Sequence, residues 1–283
     1  MHEPSGDALD ALLRAFLVED IGNRDVTTEA IVPPGARARG DVVAKSECVV
    51  SGLPVARRVF ELLEPGVGWN EIVPVGTRAP TGGVMARLAG GARPILTAER
   101  VALNLLQRMC GIATLTRRFA DAVAGTPCRI LDTRKTAPGL RPFDRQAVRD
   151  GGGVNHRYDL SAMVLIKDNH RRLAGGVARA VEAARNGAPG VEIEVEVETE
   201  AELAEAIASG ADQILIDNQS PETVARWAAL AHAAPRRPFI EASGNMRLDT
   251  VRAYALAGAD GCSVGALTHS VAAADVSLEL FVE

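Results

Sequence analysis

A regular alternation of short apolar segments and alanine-rich segments fills the second half of the chain and limits the folds open to it. Six segments with the composition of buried strands recur at spacings of roughly 21 to 34 residues, the length of one βα unit. The predicted strands lie at residues 129–132, 163–167, 192–197, 213–217, 239–242 and 262–264, with predicted helices at 172–185, 200–209, 221–231 and 248–257. Because strands joined by helical crossovers run in the same direction, the pattern predicts a parallel sheet.

The parallel sheet could close into a barrel or stay open with helices on both faces. No G-x-G-x-x-G motif follows a predicted strand, so the sequence does not support a dinucleotide-binding fold. We therefore predict an α/β fold with an incomplete (β/α) barrel, incomplete because only six clear strands are found.

The first part of the chain has a different sequence pattern, which predicts short strands separated by glycine and proline. A long helix is predicted to follow it, with Thr97 as the N-cap and Arg100 in the first turn. These features predict a smaller N-terminal α+β domain over residues 1–108 and a catalytic barrel domain over 109–269. The C-terminal tail, 270–283, could pack back onto the N-terminal domain. The predicted helices here are 8–20, 54–63 and 97–109, and the predicted strands are 40–44, 48–51, 69–74 and 85–88.

Composition and charge exclude several classes of protein. The chain has 283 residues, of which 47% are hydrophobic and 24% are charged, values that are ordinary for a soluble globular enzyme. No apolar stretch reaches the length of a membrane span, and the N-terminus lacks the basic and apolar regions of a secretory signal. The net charge of −5 argues against nonspecific nucleic-acid binding. Four isolated cysteines indicate neither a zinc site nor a disulfide framework, and we expect a cytoplasmic protein.

Lysine is rare in this chain, since only Lys45, Lys135 and Lys167 occur among 31 basic residues. Where arginine is preferred almost everywhere, a retained lysine suggests a place that needs a compact ammonium group. Lys135 comes three residues after one predicted strand and Lys167 ends another, and both lie near glycines and further cations. They indicate a pocket for a small, highly charged anion, whereas Lys45 is better interpreted as a surface residue.

Polar residues follow every predicted strand of the βα repeat. In a (β/α) barrel the catalytic groups come from the carboxyl ends of the strands and from the loops beyond them. Each such residue alone could be an ordinary solvated loop residue, but their convergence predicts a single site. The residues are Arg134 and Lys135, Lys167, Glu196, Asp217, Ser243 with Gly244, and Gly265.

The segment 191–198 alternates apolar residues with glutamates, so its acids share one face of a strand. With the valine face against the helices, three or four carboxylates would point into the barrel, where they need cations nearby. Lys167, the arginine loops or a divalent metal could supply that charge; a solvent-facing edge strand of an antiparallel sheet is the alternative. Glu196 and Asp217, at consecutive strand ends, could hold Mg²⁺ through oxygen ligands or contact ribose hydroxyl groups.

Two glycine-containing turns close consecutive late strands, at Ser243-Gly244 and Gly265-Ala266. Glycine lets backbone N–H groups approach an oxyanion, and late-strand loops are the usual phosphate site of such barrels. The two loops therefore predict a phosphate site, although tight turns without a ligand would use the same residues.

Taken in order, these segments closely resemble the quinolinate phosphoribosyltransferase family over nearly the whole chain. Two departures are slight, since Asn245 stands where the family usually has a glycine and Arg24 replaces a common glycine. The matching segments are EDIGNRDVTT at 19–28, LTAERVALN at 96–104, LDTRKTAPGL at 131–140, GGGVNHR at 151–157, LIKDNH at 165–170, residues 194–196, 215–218 and 241–244, and SVGALTHS at 263–270.

The resemblance implies that quinolinate and phosphoribosyl pyrophosphate react, with Mg²⁺, to give nicotinate mononucleotide, pyrophosphate and CO₂. It implies catalytic roles for Lys135, Glu196 and Asp217, the two acids also serving Mg²⁺. It further implies a homodimer, or a higher oligomer, in which Arg100 enters the site of the neighbouring subunit. The cations implied to hold the quinolinate carboxylates are Arg134, His156, Arg157 and Lys167. The full set implied to bind the substrates is Arg100, Thr133, Arg134, Lys135, His156, Arg157, Lys167, Glu196, Asp217, Ser243, Gly244, Asn245, Val264, Gly265, Ala266 and His269.

Other proteins remain as alternatives. The molybdenum-associated pyrophosphorylase-like proteins share the fold, but they typically replace the lysine found here as Lys167. Nicotinate phosphoribosyltransferases act on a single carboxylate, for which four cations would be excessive. A barrel lyase would use Lys135 or Lys167 to form a Schiff base. A non-enzymatic binding protein would not need polar residues at every strand end.

Overall fold

Residues 6–283 are described by a computed structural model, and they form two units. One unit consists of Arg118–Lys135 and Gly153–Leu267. The other contains the described residues up to Arg117, together with Thr136–Gly152 and Thr268–Glu283. Among the helices described, none is both long enough and apolar enough to cross a membrane.

The secondary-structure elements are numbered in chain order. The helices are α1 (Asp7–Ile21), α2 (Val26–Ile31), α3 (Leu53–Leu63), α4 (Ala92–Ala122), α5 (Arg141–Asp150), α6 (Asp168–Ala174), α7 (Val177–Gly187), α8 (Glu200–Ala208), α9 (Pro221–His232), α10 (Val251–Leu256) and α11 (Ala266–His269). The strands are β1 (Arg37–Ala44), β2 (Cys48–Val49), β3 (Gly68–Glu71), β4 (Arg78–Ala79), β5 (Val84–Gly91), β6 (Arg129–Leu131), β7 (Val164–Ile166), β8 (Ile193–Val197), β9 (Gln213–Asp217), β10 (Phe239–Ser243), β11 (Gly261–Ser263) and β12 (Val276–Val282).

The parallel sheet predicted from the βα repeat is present, in the strand order β6-β11-β10-β9-β8-β7. Every neighbouring pair in this order is parallel. The first and last strands of the repeat, β6 and β11, pair with each other, so the sheet curls round as in a barrel. No pairing joins β6 to β7 among the described residues, and the ring stays open there. The predicted incomplete (β/α) barrel is confirmed.

The acidic strand β8 lies inside this sheet, between β7 and β9, and all its residues are buried. Glu194 is 0% exposed and Glu196 is 8% exposed. The alternative of a solvent-facing strand in an antiparallel sheet is therefore wrong. The expectation of three or four inward carboxylates is also wrong, because Glu192 and Glu198 lie just outside the strand and are exposed.

The other unit contains an antiparallel sheet in the order β12-β1-β5-β3, with β2 and β4 as a separate pair. Its edge strand β12 comes from the C-terminal tail and pairs with β1 along its length. Gly40 of β1 makes room for this pairing, because a Cβ there would lie 2.8 Å from the side chain of Leu278 and 2.9 Å from that of Leu280. The sequence analysis did not predict this strand, although apolar and polar residues alternate along it.

The long helix α4 begins earlier than predicted, directly after β5. Two oxygens of Glu64 accept the N–H of Gly91, at 2.9 Å and 2.8 Å, just before the helix. The predicted N-cap was wrong because this distant partner is not visible in the local sequence. Thr97 lies within α4 instead, where its hydroxyl group donates to Asp25 Oδ2 at 3.0 Å. Arg100 is consequently in the third turn of the helix and not in the first.

Two further segments differ from the predicted helices. The predicted helix 172–185 is divided between α6 and α7, because Gly175 and Gly176 have φ angles of 83° and 128°, which interrupt a helix. Helix α5, in which half of the residues are charged, was not predicted from the sequence. The predicted domain boundary between residues 108 and 109 falls within α4 and stays a prediction.

Gly111 of α4 lies against the segment that leads into β12. A Cβ at this position would overlap with the carbonyl oxygen of Ala272. We expect Gly111→Ala to lower the free energy of unfolding by about 1–3 kcal/mol, the usual cost of overpacking. Chemical denaturation measures this change, and Gly187→Ala at the end of α7 is the matched control, because nothing lies within 4 Å of a Cβ there. Equal stability of the two variants would contradict the prediction.

Candidate active site

The parallel strands deliver the expected polar residues to one edge of the sheet. Lys167 directly follows β7, Glu196 lies within β8, and Asp217 and Ser243 end β9 and β10. Because the strands are parallel, their carboxyl ends meet at this edge. The loops that follow β6, β10 and β11 begin at the same edge and carry further expected residues, whereas His156 and Arg157 lie in the segment between α5 and β7.

Two of the expected residues lie in the other unit. Arg100 is exposed on α4. His269 is the exposed last residue of α11, and its Nδ1 is 2.6 Å from the hydroxyl oxygen of Ser270. Their roles at the strand ends therefore stay predictions.

A lysine and three carboxylates form a charged group at the ends of β7, β8 and β9. Lys167 Nζ lies 3.0 Å from Glu196 Oε2. Oxygens of Glu196, Glu198 and Asp217 lie within 4.8 Å of one another. Such oxygen ligands suit a hard divalent cation. Glu198 was not among the expected residues; it ends the alternating acidic run, and its position in sequence was the signal that could have identified it.

The electrostatics of Asp217 also favour a cation at this place. Burial raises the pKa of Asp217 and the negative charge of Glu196 raises it further, while hydrogen bonds from Ser243 and Asn218 and the charge of Lys167 act in the opposite direction. The net direction is upward, so ionised Asp217 is disfavoured in the ligand-free protein. A bound cation would remove this disadvantage.

The turn after β10 requires glycine. Gly244 has a φ of 104°, and a Cβ there would overlap with the side-chain oxygen of Asn218 and lie 2.8 Å from its backbone nitrogen. The next residue, Asn245, has a φ of 44°. Asparagine is among the residues that best tolerate this left-handed conformation. The replacement of a glycine that is usual in the family is therefore compatible with the same backbone turn.

The loops after β11 and β6 contribute differently. Val264 has a buried side chain, and its N–H donates to Leu131 O at 2.9 Å, so its contacts are made within the protein. Gly265 and Ala266 follow it, and α11 begins at Ala266. After β6, Thr133 Oγ1 accepts the N–H of Lys135 at 3.1 Å and leaves the lysine side chain exposed.

Two arginines lie close enough to influence each other's charge. Burial lowers the pKa of Arg157 and the positive charge of Arg134 lowers it further, whereas Glu194 raises it. Arg157 Nη1 donates to Met163 O at 2.9 Å, which holds the guanidinium in place. Repulsion between neighbouring cations decreases when an anion binds between them. The structure therefore has a cationic part suited to a carboxylate-bearing ligand.

His156 lies between two buried acids. Its Nε2 lies 3.1 Å from Glu194 Oε2 and 3.2 Å from Glu241 Oε2, and its side chain is 11% exposed. Burial lowers the pKa of His156, but the contacts with the two acids outweigh it and raise the pKa. Burial and the charge of Glu241 raise the pKa of Glu194 to about 7.

Sequence reasoning did not assign functional roles to Glu194 and Glu241. Both were visible as acids in apolar strand segments, at 192–197 and 239–242, which is the signal that could have identified them. Their common partner His156 is distant from both in the chain. The contact depends on how β8 and β10 are placed in the sheet, and no local pattern specifies it.

Comparison with known proteins assigns both parts of the chain to one family. Residues 25–110 match the N-terminal domain of quinolinate phosphoribosyl transferase, and residues 112–279 match its C-terminal domain. The chain belongs to the quinolinate phosphoribosyl transferase family. A nicotinate-nucleotide pyrophosphorylase (carboxylating) of Mycobacterium leprae is 40% identical over 281 residues, covering 97% of this chain and 98% of the relative.

Solved structures with similar sequences show the same fold. The crystal structure of NadC from Streptococcus pyogenes is 38% identical, covers 100% of both chains and superposes with a TM-score of 0.94. The nicotinate-nucleotide pyrophosphorylase from Francisella tularensis is 34% identical, with a TM-score of 0.92 over 99% of this chain and 98% of that one. The two-part architecture is therefore that of the quinolinate phosphoribosyl transferase family.

The raised pKa of Asp217 predicts that this residue lowers stability when no ligand is bound. Because its pKa is higher in the folded protein, ionisation disfavours the fold above that pKa and has no effect where both states are protonated. Asp217→Asn should therefore raise the free energy of unfolding at neutral pH, by less than about 1 kcal/mol, and this gain should disappear in acid.

Thermal unfolding over a range of pH measures the effect of Asp217→Asn. Asp249→Asn is the control, because a hydrogen bond from Arg247 lowers the pKa of Asp249, and its replacement should not stabilise the protein. A destabilised Asp217→Asn variant at neutral pH would show that the carboxylate is favourably paired in the free protein.

Proposed function

We propose that the protein transfers the phosphoribosyl group of phosphoribosyl pyrophosphate to quinolinate, with loss of CO₂, to give nicotinate mononucleotide and pyrophosphate. The observation that carries this proposal is the pairing of two opposite charge groups at one edge of the parallel sheet. Arg134, Arg157 and Lys167 provide cations, and Glu196 and Asp217 provide carboxylates. Such a site suits one anionic substrate beside another that carries a cation on its diphosphate.

The cations would hold quinolinate through its two carboxylates. Arg134 and Arg157 are close enough to repel each other, and Lys167 lies beside Glu196. A dianion relieves the repulsion and orients the pyridine nitrogen toward the ribose. A charge-assisted hydrogen bond contributes roughly 1.5–3 kcal/mol. Holding both reactants in a fixed geometry would then contribute a large part of the rate acceleration.

The bond changes involve both charge groups. The bond between ribose C1 and the pyrophosphate oxygen breaks, and a bond from the pyridine nitrogen to C1 forms. Positive charge develops on the ribosyl centre, where Glu196 and Asp217 stabilise it. Lys135, which is exposed, would receive the negative charge of the leaving pyrophosphate. Loss of CO₂ leaves an electron pair on the ring, which the pyridinium nitrogen and a nearby lysine offset before protonation.

Glu196 and Asp217 would also hold Mg²⁺, through the oxygen atoms that lie close together at the ends of β8 and β9. When bound, Mg²⁺ would offset negative charge on the diphosphate. Ser243, Gly244 and the turn at Gly265 would bind the 5′-phosphate through backbone N–H groups, which glycine leaves accessible.

We further propose a homodimer in the cytoplasm, in which Arg100 is donated to the partner's site. Two observations support this. Arg100 is exposed on α4, and the four cysteines, Cys48, Cys110, Cys128 and Cys262, are free thiols as expected in a reducing compartment.

The reaction is tested with quinolinate, phosphoribosyl pyrophosphate and Mg²⁺, by following the formation of nicotinate mononucleotide. Nicotinate in place of quinolinate is the matched comparison. Because it lacks one carboxylate, it leaves part of the cationic side without a bound anion, and its kcat/KM should be lower by roughly a hundredfold or more. Comparable turnover of nicotinate would contradict a site built for a dianion, and removal of Mg²⁺ by a chelator should abolish the reaction.

Donation of Arg100 between subunits is tested by mixing two inactive variants, Arg100→Ala and Lys135→Ala. In a mixed dimer with twofold symmetry, one site carries both changes and the other carries neither. An equal mixture that is unfolded and refolded should regain up to roughly a quarter of the wild-type sites. Mixed dimers that are confirmed by mass spectrometry and stay inactive would show that Arg100 does not act across the interface.

A further inference from the structure

Both ring nitrogens of His156 are occupied by partners within the protein. The backbone N–H of Arg157 points at Nδ1, with a nitrogen–nitrogen distance of 2.8 Å. On the other side of the ring, Nε2 faces Glu194 at 3.1 Å and Glu241 at 3.2 Å. A backbone N–H can only donate, so Nδ1 accepts and carries no proton in this arrangement. The ring proton is therefore on Nε2, where Glu194 Oε2 accepts it and Glu241 Oε2 lies beside it.

The backbone of the same segment is held by a third buried acid. Asp132 Oδ1 accepts the N–H of His156 at 2.7 Å, and Oδ2 accepts the side-chain amide of Asn155 at 2.6 Å. Asp132 and Glu194 are 0% exposed and Glu241 is 1% exposed. Burial of carboxylates is unfavourable unless they are hydrogen-bonded. Three such groups around one residue therefore fix both its ring and its backbone.

The residue that follows is one of the cations proposed to bind quinolinate. His156 Nδ1 holds the backbone N–H of Arg157, and Met163 O holds its Nη1 at 2.9 Å. The backbone N–H of Arg157 and one end of its guanidinium group are thus both held by other groups of the protein. The ring of His156 has no N–H left for a substrate carboxylate.

We propose that His156 is a positioning residue, which fixes Arg157 for quinolinate binding and through which Glu194 and Glu241 act. This inference rests on the proposed function and changes the role that the family resemblance implies for His156. The ring does not itself bind the quinolinate carboxylate. The specific element is the chain of contacts from the two acids, through the imidazole, to the backbone of Arg157, in which Glu194 is hydrogen-bonded to Nε2 and Glu241 lies beside it.

Direct binding by His156 makes a different prediction about Nδ1. The neighbouring acids favour a second proton on the ring, as the raised pKa shows. That proton on Nδ1 would face the N–H of Arg157, so two donors would meet at 2.8 Å. A doubly protonated ring would have to break this contact. The positioning role instead requires an Nδ1 without a proton, which can accept the N–H of Arg157.

Nitrogen NMR of the whole protein labelled with ¹⁵N-histidine distinguishes the two roles. The spectrum of His156→Gln identifies the signals of this ring. Because a second proton on Nδ1 would meet the N–H of Arg157, which opposes the effect of the acids, we expect an unprotonated Nδ1 and a protonated Nε2 at neutral pH, both without quinolinate and at saturating quinolinate. A protonated Nδ1 in either state would overturn the proposal.

Steady-state kinetics test the link from the acids to quinolinate. Glu194→Ala should raise KM for quinolinate roughly tenfold to a hundredfold, by analogy with loss of the partners that orient metal-binding histidines. KM for phosphoribosyl pyrophosphate should change little, which a general loss of structure would not produce. Glu194→Gln keeps an acceptor oxygen for Nε2 and should restore most of the quinolinate KM. Glu241→Ala and Glu241→Gln are measured in the same way, in case Glu194→Ala does not fold.

The matched control is a second histidine–carboxylate contact in the same unit. His232 Nε2 lies 3.2 Å from Asp260 Oδ2, and His232→Ala should leave both KM values unchanged. Three results would overturn the proposal. They are an equal rise of both KM values in the alanine variants, an unchanged KM for quinolinate, and glutamine variants that are as impaired as the alanine variants. If the wild-type protein forms no nicotinate mononucleotide, the proposed function fails; if it does and the variants behave in one of these ways, only the positioning role fails.

Discussion

Carboxylates enclosed within a parallel sheet are the constraint on which the site depends. A buried, ionised acid is unfavourable unless a cation or several hydrogen bonds accompany it. β8 carries two such acids, Glu194 and Glu196, in a strand that is buried throughout. Each therefore needs its own partner from another part of the chain, and these partners are His156 and Lys167. Because His156 and Lys167 must lie beside these acids, the acids constrain the position of the segments that carry the two partners.

The strand register separates these acids into two levels. Glu196 and Glu241 are at the same level, because both pair with Leu215 of β9, whereas Glu194 lies two residues further from the carboxyl ends. Glu194 and Glu241 contact His156, which is mostly buried. Glu196 contacts the half-exposed Lys167 at the strand ends. The partner of Glu194 and Glu241 is thus enclosed in the protein, whereas the partner of Glu196 is accessible to a ligand.

The sheet and its polar strand ends could be predicted because their signals are local. Apolar runs at regular spacing indicate parallel strands, and the parallel direction alone brings Lys167, Glu196 and Asp217 together. Features that depend on distant partners could not be predicted. The start of α4 depends on Glu64, which binds the backbone just before the helix. The orientation of the His156 ring depends on acids far away in the sequence, so its residue type suggested a ligand contact that its geometry does not support.

The site combines two unfavourable like-charge contacts with one favourable opposite-charge contact between them. Arg134 lowers the pKa of Arg157, and Glu196 raises the pKa of Asp217, so each pair opposes its own ionisation. The Lys167–Glu196 contact joins the two groups. An anion on the cationic side and a cation on the acidic side would each relieve one repulsion, and neither would do so at the other position. In the proposed reaction, the two carboxylates of quinolinate would relieve the first repulsion and a metal-bound diphosphate would relieve the second, so the two substrates would complement the site together.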